Sequence, residues 1–279
     1  MPSFQDRTLT HDGIRTRYWS VGSGGVPLIL LHGLGGTIAD WSETLPALSQ
    51  HRRVIAVDLL GSGGTDKPVG CTYAPEVMRD HILGILDALS LDTVDIDGWS
   101  LGGRIALDIA SAAPQRVRRL VLTAPAGIGP DTLLDFDASL PALLGQAITR
   151  PSVSGVRIIG NAIHSGNGRR MMAFAARRLA LAADAASRRA FLGQMRSIVG
   201  GRGFLPGPRH DLLARLPSIQ TPTLAVWGRN DTFSPFAHAA ILCDLMPRCS
   251  LHVIESCGHA PQIEWPDIYN AAVAGFLSN

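Results

Sequence analysis

A serine in a glycine-bounded turn is the strongest chemical signal in this 279-residue chain. Residues 93–103, TVDIDGWSLGG, place Gly98, Ser100 and Gly102 between an apolar strand pattern and a helix pattern rich in Ala, Leu and Ile. Such a tight strand-to-helix turn exposes the serine hydroxyl at a helix N-terminus, where the helix dipole favours negative charge. The pattern therefore predicts that Ser100 is a nucleophile.

A histidine and an aspartate follow two later strand patterns. A neutral hydroxyl needs a base, and the base needs a third group to orient it. His259 follows the last apolar run, and Asp231 follows the run before it. Imidazole suits the role of the base because its ordinary pKa of about 6.5 lies near neutral pH. Ser100, His259 and Asp231 are thus predicted to form a catalytic triad.

Other residues fit the roles of acid and base less well. Asp95 and Asp97 lie on the strand before the serine, and that strand directs them away from the histidine nitrogen that must be held. Asn230 carries no charge. His32, at a strand end, is expected to bind nearby backbone groups rather than to act as a base.

A glycine-rich run, HGLGG at 32–36, follows another strand pattern. Attack on a carbonyl creates an oxyanion, for which one preorganised donor is worth about 3–4 kcal/mol. We expect the backbone N–H groups of Leu34 and Leu101 to be these donors. Gly33 and Trp99 are expected to line the substrate pocket, although Trp99 fits a buried core position equally well. No Walker-type Lys-Ser/Thr pair follows the glycines, which argues against nucleotide binding.

Strand and helix patterns alternate along most of the chain, which predicts an α/β fold. We expect a mainly parallel, doubly wound sheet of about eight strands with helices on both faces, preceded by an N-terminal β-hairpin. The expected strands are 8–10, 14–21, 28–31, 54–57, 93–96, 120–122, 223–226 and 251–254, and the expected helices are 75–89, 101–113 and 266–277.

The alternation stops between about residue 130 and residue 216, where only helical patterns appear. Residues 1–129 and 216–279 are therefore predicted to form the core, with residues 130–215 as an inserted helical cap. Residues 150–215 contain twelve arginines and two aspartates. Arg170, Arg177 and Arg188 are spaced for one helix face, which leaves open a solvated surface or recognition of an anionic substrate. No nucleic-acid recognition motif accompanies them.

The motifs together resemble the α/β-hydrolase superfamily, in its branch of serine esterases, C–C hydrolases and cofactor-free haloperoxidases. The resemblance covers nearly all of the chain except the insertion. It implies that residues 130–215 form the cap and that residues 58–68 form a loop after a strand. The matching motifs, in order, are HGLGG at 32–36, DLLGSGGTDKP at 58–68, GWSLGG at 98–103, WGRND at 227–231 and CGHAPQIEWP at 257–266.

Three functions are compatible with these motifs. The favoured one is hydrolysis of a small carboxylic ester through an acyl-enzyme. The alternative is hydrolysis of a C–C bond in an anionic meta-cleavage-type substrate, although such enzymes usually have Asn where this chain has Trp99 and a Ser/Gly-rich loop where it has Leu34. The third is a ligand-binding sensor with low turnover. Dehalogenases and epoxide hydrolases have aspartate at the position of Ser100, which argues against those reactions.

The remaining sequence features predict a partner and a location. We expect a small-molecule acyl substrate, no cofactor, no metal, no nucleic acid and no membrane contact. The N-terminus lacks a secretory pattern, and the four cysteines show no metal-type spacing, which together predict a cytoplasmic protein. The oligomeric state does not follow from the sequence.

Overall fold

A computed structural model describes residues 4–130, 174, 176–178, 180, 183–200 and 203–278 of the protein. Within these ranges the strands are β1 (Arg7–His11), β2 (Ile14–Val21), β3 (Leu28–Leu31), β4 (Val54–Val57), β5 (Val94–Trp99), β6 (Val117–Thr123), β7 (Val199–Gly200), β8 (Gly203–Phe204), β9 (Thr223–Gly228) and β10 (Cys249–Ile254). The helices are α1 (Thr44–Leu48), α2 (Pro75–Ala88), α3 (Leu101–Ala112), α4 (Ala185–Ile198), α5 (Pro206–Arg215), α6 (Ala237–Leu245), α7 (Pro261–Glu264) and α8 (Pro266–Ser278).

Eight of these described strands form one sheet in the order β1-β2-β4-β3-β5-β6-β9-β10. Within this sheet, neighbouring strands in the series β4-β3-β5-β6-β9-β10 pair in parallel. Strands β1 and β2 pair antiparallel with each other, and β2 pairs antiparallel with β4. The predicted α/β fold with a mainly parallel sheet of about eight strands is confirmed. The carboxyl ends of the parallel strands lie along one edge of the sheet, where ligands bind in open α/β folds.

Successive residues of the central strands pack into different layers because strand side chains point to opposite faces. Ile29 and Leu31 belong to the cluster that contains α2 and α3, whereas Leu28 and Leu30 belong to the cluster that contains α1 and α8. All four side chains are fully buried. Continuous apolar runs are therefore required at these strands, which is why the sequence pattern located them.

The structure contains short elements that the sequence analysis did not predict, among them the helices α1 and α7. Strands β7 and β8 pair antiparallel within residues 130–215, so the expectation of no strand there is wrong. Each strand has only two residues, too few to produce an alternating pattern. Helix α6 was not predicted, because its sequence is apolar on nearly all sides and lacks helical periodicity.

Much of the predicted cap lies outside the described residues, including Arg170. The described part of that region contains α4 and α5, and the division into core and cap stays a prediction. Within the described residues, no helix combines the length and apolarity needed to cross a bilayer.

A buried carboxyl group with a raised pKa lies near the carboxyl end of β5. Asp97 is fully buried, and both of its carboxyl oxygens lie 2.8 Å from the hydroxyl oxygen of Tyr269, which also contacts Thr123. Burial raises the pKa of Asp97 to about 8. Its charged form is thus disfavoured in the folded protein, and its contacts exclude it as the partner of a catalytic histidine.

Replacement of this group should change how stability depends on pH. Between about pH 4 and pH 8, Asp97 keeps its proton in the folded chain and loses it in the unfolded chain, so wild-type stability falls as pH rises. Asp97→Asn lacks this contribution. Its free energy of unfolding relative to wild type should therefore rise by up to about 1.4 kcal/mol per pH unit in that range.

Urea denaturation at pH 5, 6, 7, 8 and 9 measures this difference. A difference between the two proteins that is constant from pH 5 to pH 9 would contradict the raised pKa of Asp97.

Candidate active site

The turn at Ser100 holds its backbone in a conformation that side chains rarely adopt. Ser100 has φ 55° and ψ −114° between β5 and α3. A Cβ on Gly98 would clash with the backbone of Gly102, and one on Gly102 would clash with the carbonyl of Leu31 at the end of β3. The close approach of these segments explains both glycines, and it places the Ser100 hydroxyl at the N-terminus of α3.

Three side chains from the ends of three strands form a hydrogen-bonded chain. His259 Nε2 lies 3.1 Å from Ser100 Oγ, and His259 Nδ1 lies 2.8 Å from Asp231 Oδ2. An ionised carboxylate only accepts hydrogen bonds, so Nδ1 carries the ring proton and Nε2 is free to accept the serine proton. The arrangement can move a proton from the hydroxyl to the imidazole while a carboxylate stabilises the resulting charge.

Asp231 is fixed by the loop that follows β9. Its Oδ1 accepts hydrogen bonds of 2.8 Å from the amides of Phe233 and Ser234, which leaves Oδ2 directed at the imidazole. The ring of Phe233 lies 4.8 Å from the ring of His259. Asn230, the weaker alternative, follows Arg229 in the same turn and donates its backbone amide to the carbonyl of Cys257.

The backbone around His259 is held by Glu264, which the sequence reasoning missed. The buried carboxylate of Glu264 accepts hydrogen bonds from the amide of Gly258 at 3.0 Å and from the amide of Ala260 at 3.1 Å. The carbonyl of His259 accepts a 2.7 Å hydrogen bond from Trp99 Nε1. These bonds leave the loop little freedom, so the imidazole is held in register with the serine. The position of Glu264 in the first turn of α7 was the available signal.

Trp99 and Gly33 lie beside the serine. A Cβ on Gly33 would lie 3.1 Å from Ser100 Cβ and 3.2 Å from the Trp99 ring, so residues 32–36, here called the oxyanion loop, pass directly over this turn. Trp99 is buried, and its ring lies 5.6 Å from that of His259. Trp99 is thus a buried core side chain that also lies beside His259.

His32 holds the start of the oxyanion loop. The amide of Leu59 donates to His32 Nε2 at 3.0 Å, so Nδ1 carries the proton and donates to the carbonyl of Gly33 at 2.8 Å. Burial lowers the pKa of His32, which keeps the ring neutral. The structure therefore places His32 on backbone groups, as the sequence analysis expected, and away from Ser100.

The amides of Leu34 and Leu101 stay the predicted oxyanion donors. Leu101 begins α3, where the first amides of a helix have no partner within the helix. No group in the described part of the chain accepts the N–H of Leu34 or of Leu101. Two free donors beside the serine can bind an oxyanion.

The arginines expected to form one stripe take different positions. Arg177 Nη2 lies 3.8 Å from Asp40 Oδ1, whereas Arg188 donates to the carbonyl of Ala183 at the start of α4. Arg178, which the stripe did not include, is buried with its guanidinium 5.6 Å from the Trp99 ring and 4.3 Å from the Phe174 ring. The sequence analysis therefore missed Arg178, because spacing along a helix does not show which face packs inward.

The described residues contain no group of three His, Cys, Asp or Glu side chains that could hold a metal ion. The side chains that the structure does bring together are a serine, a histidine and an aspartate in one hydrogen-bonded chain. The fold and these side chains define a serine hydrolase with an α/β-hydrolase fold.

Comparison with known proteins shows the family. Residues 26–266 match the family model of the alpha/beta hydrolase fold, and the chain belongs to that family. It is 33% identical to 2-hydroxymuconate semialdehyde hydrolase of Pseudomonas sp. (strain CF600), over 98% of this chain and 93% of that protein. It is 35% identical to 2-hydroxy-6-oxo-2,4-heptadienoate hydrolase of Pseudomonas putida, over 98% of this chain and 96% of that protein.

Solved structures give the same relationship. A meta-cleavage product hydrolase from Pseudomonas fluorescens IP01 superposes with a TM-score of 0.82 at 30% identity, covering 98% of this chain and 97% of that chain. The protein is therefore an enzyme of the α/β-hydrolase family and a hydrolase. These relatives support the C–C hydrolase that the sequence analysis gave as its alternative better than the small-ester hydrolase that it favoured.

Loss of the Glu264 carboxylate should slow catalysis more than it weakens substrate binding. Glu264→Ala frees the amides on both sides of His259, and we expect kcat to fall about 10- to 100-fold because a small misplacement of a reacting group has effects of this size. Glu264→Gln keeps one acceptor oxygen and should recover part of the rate.

Steady-state kinetics with an activated ester measures kcat and KM separately, and Glu255→Ala is the matched control, since Glu255 is exposed and pairs with Arg229. Unchanged kcat in Glu264→Ala, or a loss confined to KM, would show that Glu264 does not position the histidine.

Proposed function

We propose that this enzyme hydrolyses a C–C bond in an anionic 2-hydroxy-6-oxo-dienoate, with Ser100 as nucleophile, His259 as base and Asp231 as the residue that orients it. The observation that supports the proposal is the combination of this hydrogen-bonded chain with near full-length similarity to two hydrolases of such compounds.

The proposed reaction begins at the ketone carbonyl of the substrate. Ser100 Oγ adds to that carbon as His259 takes the hydroxyl proton, and the amides of Leu34 and Leu101 bind the oxyanion. The C–C bond then breaks. For this the substrate reacts as its 2-oxo tautomer, in which the proton of the 2-hydroxyl group has moved to the carbon beside the ketone. The electron pair of the broken bond passes along the conjugated chain to the 2-oxo oxygen, and that oxygen takes the proton from His259. Water, activated by the same imidazole, releases the acyl group from Ser100.

Positive charge near the site supports an anionic substrate. Arg177 and Arg178 both lie near the carboxylate of Asp40, so two positive charges share one negative partner. The Nε atoms of both arginines are buried and have no hydrogen-bond partner in the described chain. Buried donors of this kind are costly unless a ligand accepts them, and carboxylates are good acceptors for guanidinium groups.

Hydrolysis of a small carboxylic ester is the second candidate. It draws support from Trp99, which stands where meta-cleavage hydrolases usually have asparagine and whose Nε1 is occupied by the His259 carbonyl. Leu34 likewise replaces a polar residue of their oxyanion loop. A low-turnover sensor is disfavoured, because such a protein has no need of an aligned nucleophile, base and acid.

We also propose the domain division and location that the sequence indicates. Residues 1–129 and 216–279 would form one core, since strands from both ranges share a single sheet. Residues 130–215 would form the cap, and the protein would act in the cytoplasm.

The substrate preference is directly testable. With purified enzyme, kcat/KM for 2-hydroxy-6-oxo-2,4-heptadienoate should exceed that for p-nitrophenyl acetate by at least about 100-fold, because a charged, conjugated substrate uses binding energy that the small ester lacks. Loss of dienoate absorbance and release of p-nitrophenolate give the two rates. Ser100→Ala should abolish both while the circular dichroism spectrum stays unchanged.

A higher kcat/KM for the ester would favour the second candidate. Activity retained in Ser100→Ala would remove the serine mechanism altogether.

Arg177 should contribute to the preference for the charged substrate. Its side chain is 31% exposed, so its field is partly screened. We expect Arg177→Gln to lower the ratio of kcat/KM for the dienoate to kcat/KM for the ester by about 10-fold, the effect of one moderate charge-assisted hydrogen bond. Arg189→Gln, an exposed position on α4, is the matched control. An unchanged ratio would exclude Arg177 from anion recognition.

A further inference from the structure

Arg178 connects residues 130–215 to the oxyanion loop. Its Nη1 donates to the carbonyl of Leu34 at 2.5 Å, and its Nη2 donates to Asp40 Oδ2 at 3.2 Å. The guanidinium also lies over the rings of Phe174 and Trp99. Its side chain is only 10% exposed. A buried arginine with these contacts is shared between the inserted segment and the catalytic core.

Asp40 holds the other end of the same loop. It lies in the single-turn 3₁₀ helix Ile38–Trp41, where its carboxylate accepts the amide of Thr37 at 3.2 Å in a capping box. A Cβ on Gly36 would lie 2.5 Å from Asp40 Oδ2, so the carboxylate packs directly beneath the loop. Arg178 and Asp40 therefore contact the loop from opposite sides and contact each other.

The loop needs such restraint because of its composition. Gly33, Gly35 and Gly36 surround Leu34, and Gly35 adopts φ +63°. Glycines accept many backbone conformations at little cost, so the peptide planes on either side of Leu34 can rotate unless another group holds them. The Leu34 N–H shares its peptide plane with the Gly33 carbonyl, which accepts the Gly36 amide at 2.9 Å. The bond from Arg178 holds the Leu34 carbonyl in the next plane, so both peptide planes that flank Leu34 are held.

We propose that Arg178 and Asp40 form a latch, meaning a pair of side chains that together hold the oxyanion loop and so orient the Leu34 amide for the oxyanion. The latch rests on the proposed serine chemistry at Ser100. Arg178 and Asp40 are positioning residues in this reaction, since they act through the loop and not on the reacting atoms.

The energetics of the pair make each partner dependent on the other. Burial lowers the pKa of Arg178, and the charge of Asp40 opposes this effect. Removal of one partner of a buried ion pair leaves the other charge uncompensated, which is strongly destabilising locally. Loss of either residue should therefore disturb the oxyanion loop.

The latch and substrate-anion binding by Arg178 predict different effects on the rates for charged and neutral substrates. If Arg178 only binds a substrate carboxylate, its loss affects charged substrates and spares neutral ones. A latch instead affects the rate for every substrate whose reaction passes through an oxyanion. It also requires Asp40, which as a carboxylate cannot bind an anionic substrate favourably.

The test is a double-mutant cycle of Arg178→Met and Asp40→Asn with the neutral substrate p-nitrophenyl butyrate. Each single variant should lower kcat about 10- to 100-fold with KM changed less than about 3-fold, since loss of one oxyanion donor costs up to about 10³-fold. The double variant should be no slower than Arg178→Met, because coupled residues are not additive. Arg189→Met and Asp211→Asn, both at exposed positions, are the matched controls.

Hydrogen exchange gives a readout that is independent of turnover. The amides of residues 32–41 should exchange faster in Arg178→Met than in wild type, whereas those of α3 should be unchanged. If Arg178→Met does not fold, Arg178→Lys replaces it. A single ammonium cannot reproduce the two divergent guanidinium bonds, and the same changes are expected in smaller degree.

Three results separate the outcomes. Wild-type ester rates in both single variants, or additive losses in the double variant, would overturn the latch. A loss in Arg178→Met that is restricted to the dienoate would replace it with anion binding. A wild-type enzyme that neither hydrolyses esters or dienoate nor reacts with a fluorophosphonate would instead contradict the proposed function, and the exchange experiment would still decide whether the latch exists.

Discussion

The strained backbone at Ser100 is the constraint on which the rest of the site depends. A positive φ at a non-glycine residue is costly, and it persists only where surrounding structure determines it. Here the end of β3 approaches the first turn of α3 so closely that only glycine fits at residue 102. The parallel sheet provides that approach, because β3 and β5 are neighbours and end at the same edge. Ser100 is buried, contrary to the exposure that the turn pattern predicts. The position of its hydroxyl is thus a product of sheet packing.

The histidine is positioned by a second set of contacts, nearly all of them to backbone. Glu264 holds the amides on either side of it, Trp99 holds its carbonyl, and Asp231 holds its ring. Contacts from three separate parts of the chain therefore hold the imidazole in one orientation. Since the surroundings are buried, each bond is worth more than it would be in water, and each missing bond would cost more. Preorganisation of this kind is what lowers barriers in acyl transfer.

The fold defines the reaction class, while specificity depends on groups that differ among members of a fold. The triad geometry is compatible with ester and C–C bond hydrolysis alike, because both begin with addition to a carbonyl. Arg177, Arg178 and Asp40 form a charged cluster beside the oxyanion loop. We propose that this cluster favours an anionic substrate, and its proposed role in holding the loop would serve neutral substrates as well.

The sequence by itself determined the sheet and the order of the reactive residues. Apolar runs such as Leu28–Leu31 must appear in any strand buried on both faces, and Gly98 and Gly102 mark a turn that tolerates no other residue. It did not reveal Glu264, Arg178, Asp40 or the Tyr269 contact of Asp97. Nor did it reveal the two-residue strands β7 and β8. These features depend on which distant surfaces meet when the chain folds. A local sequence pattern indicates burial and turn geometry near its own position. Which distant residue a side chain contacts is determined only by tertiary packing.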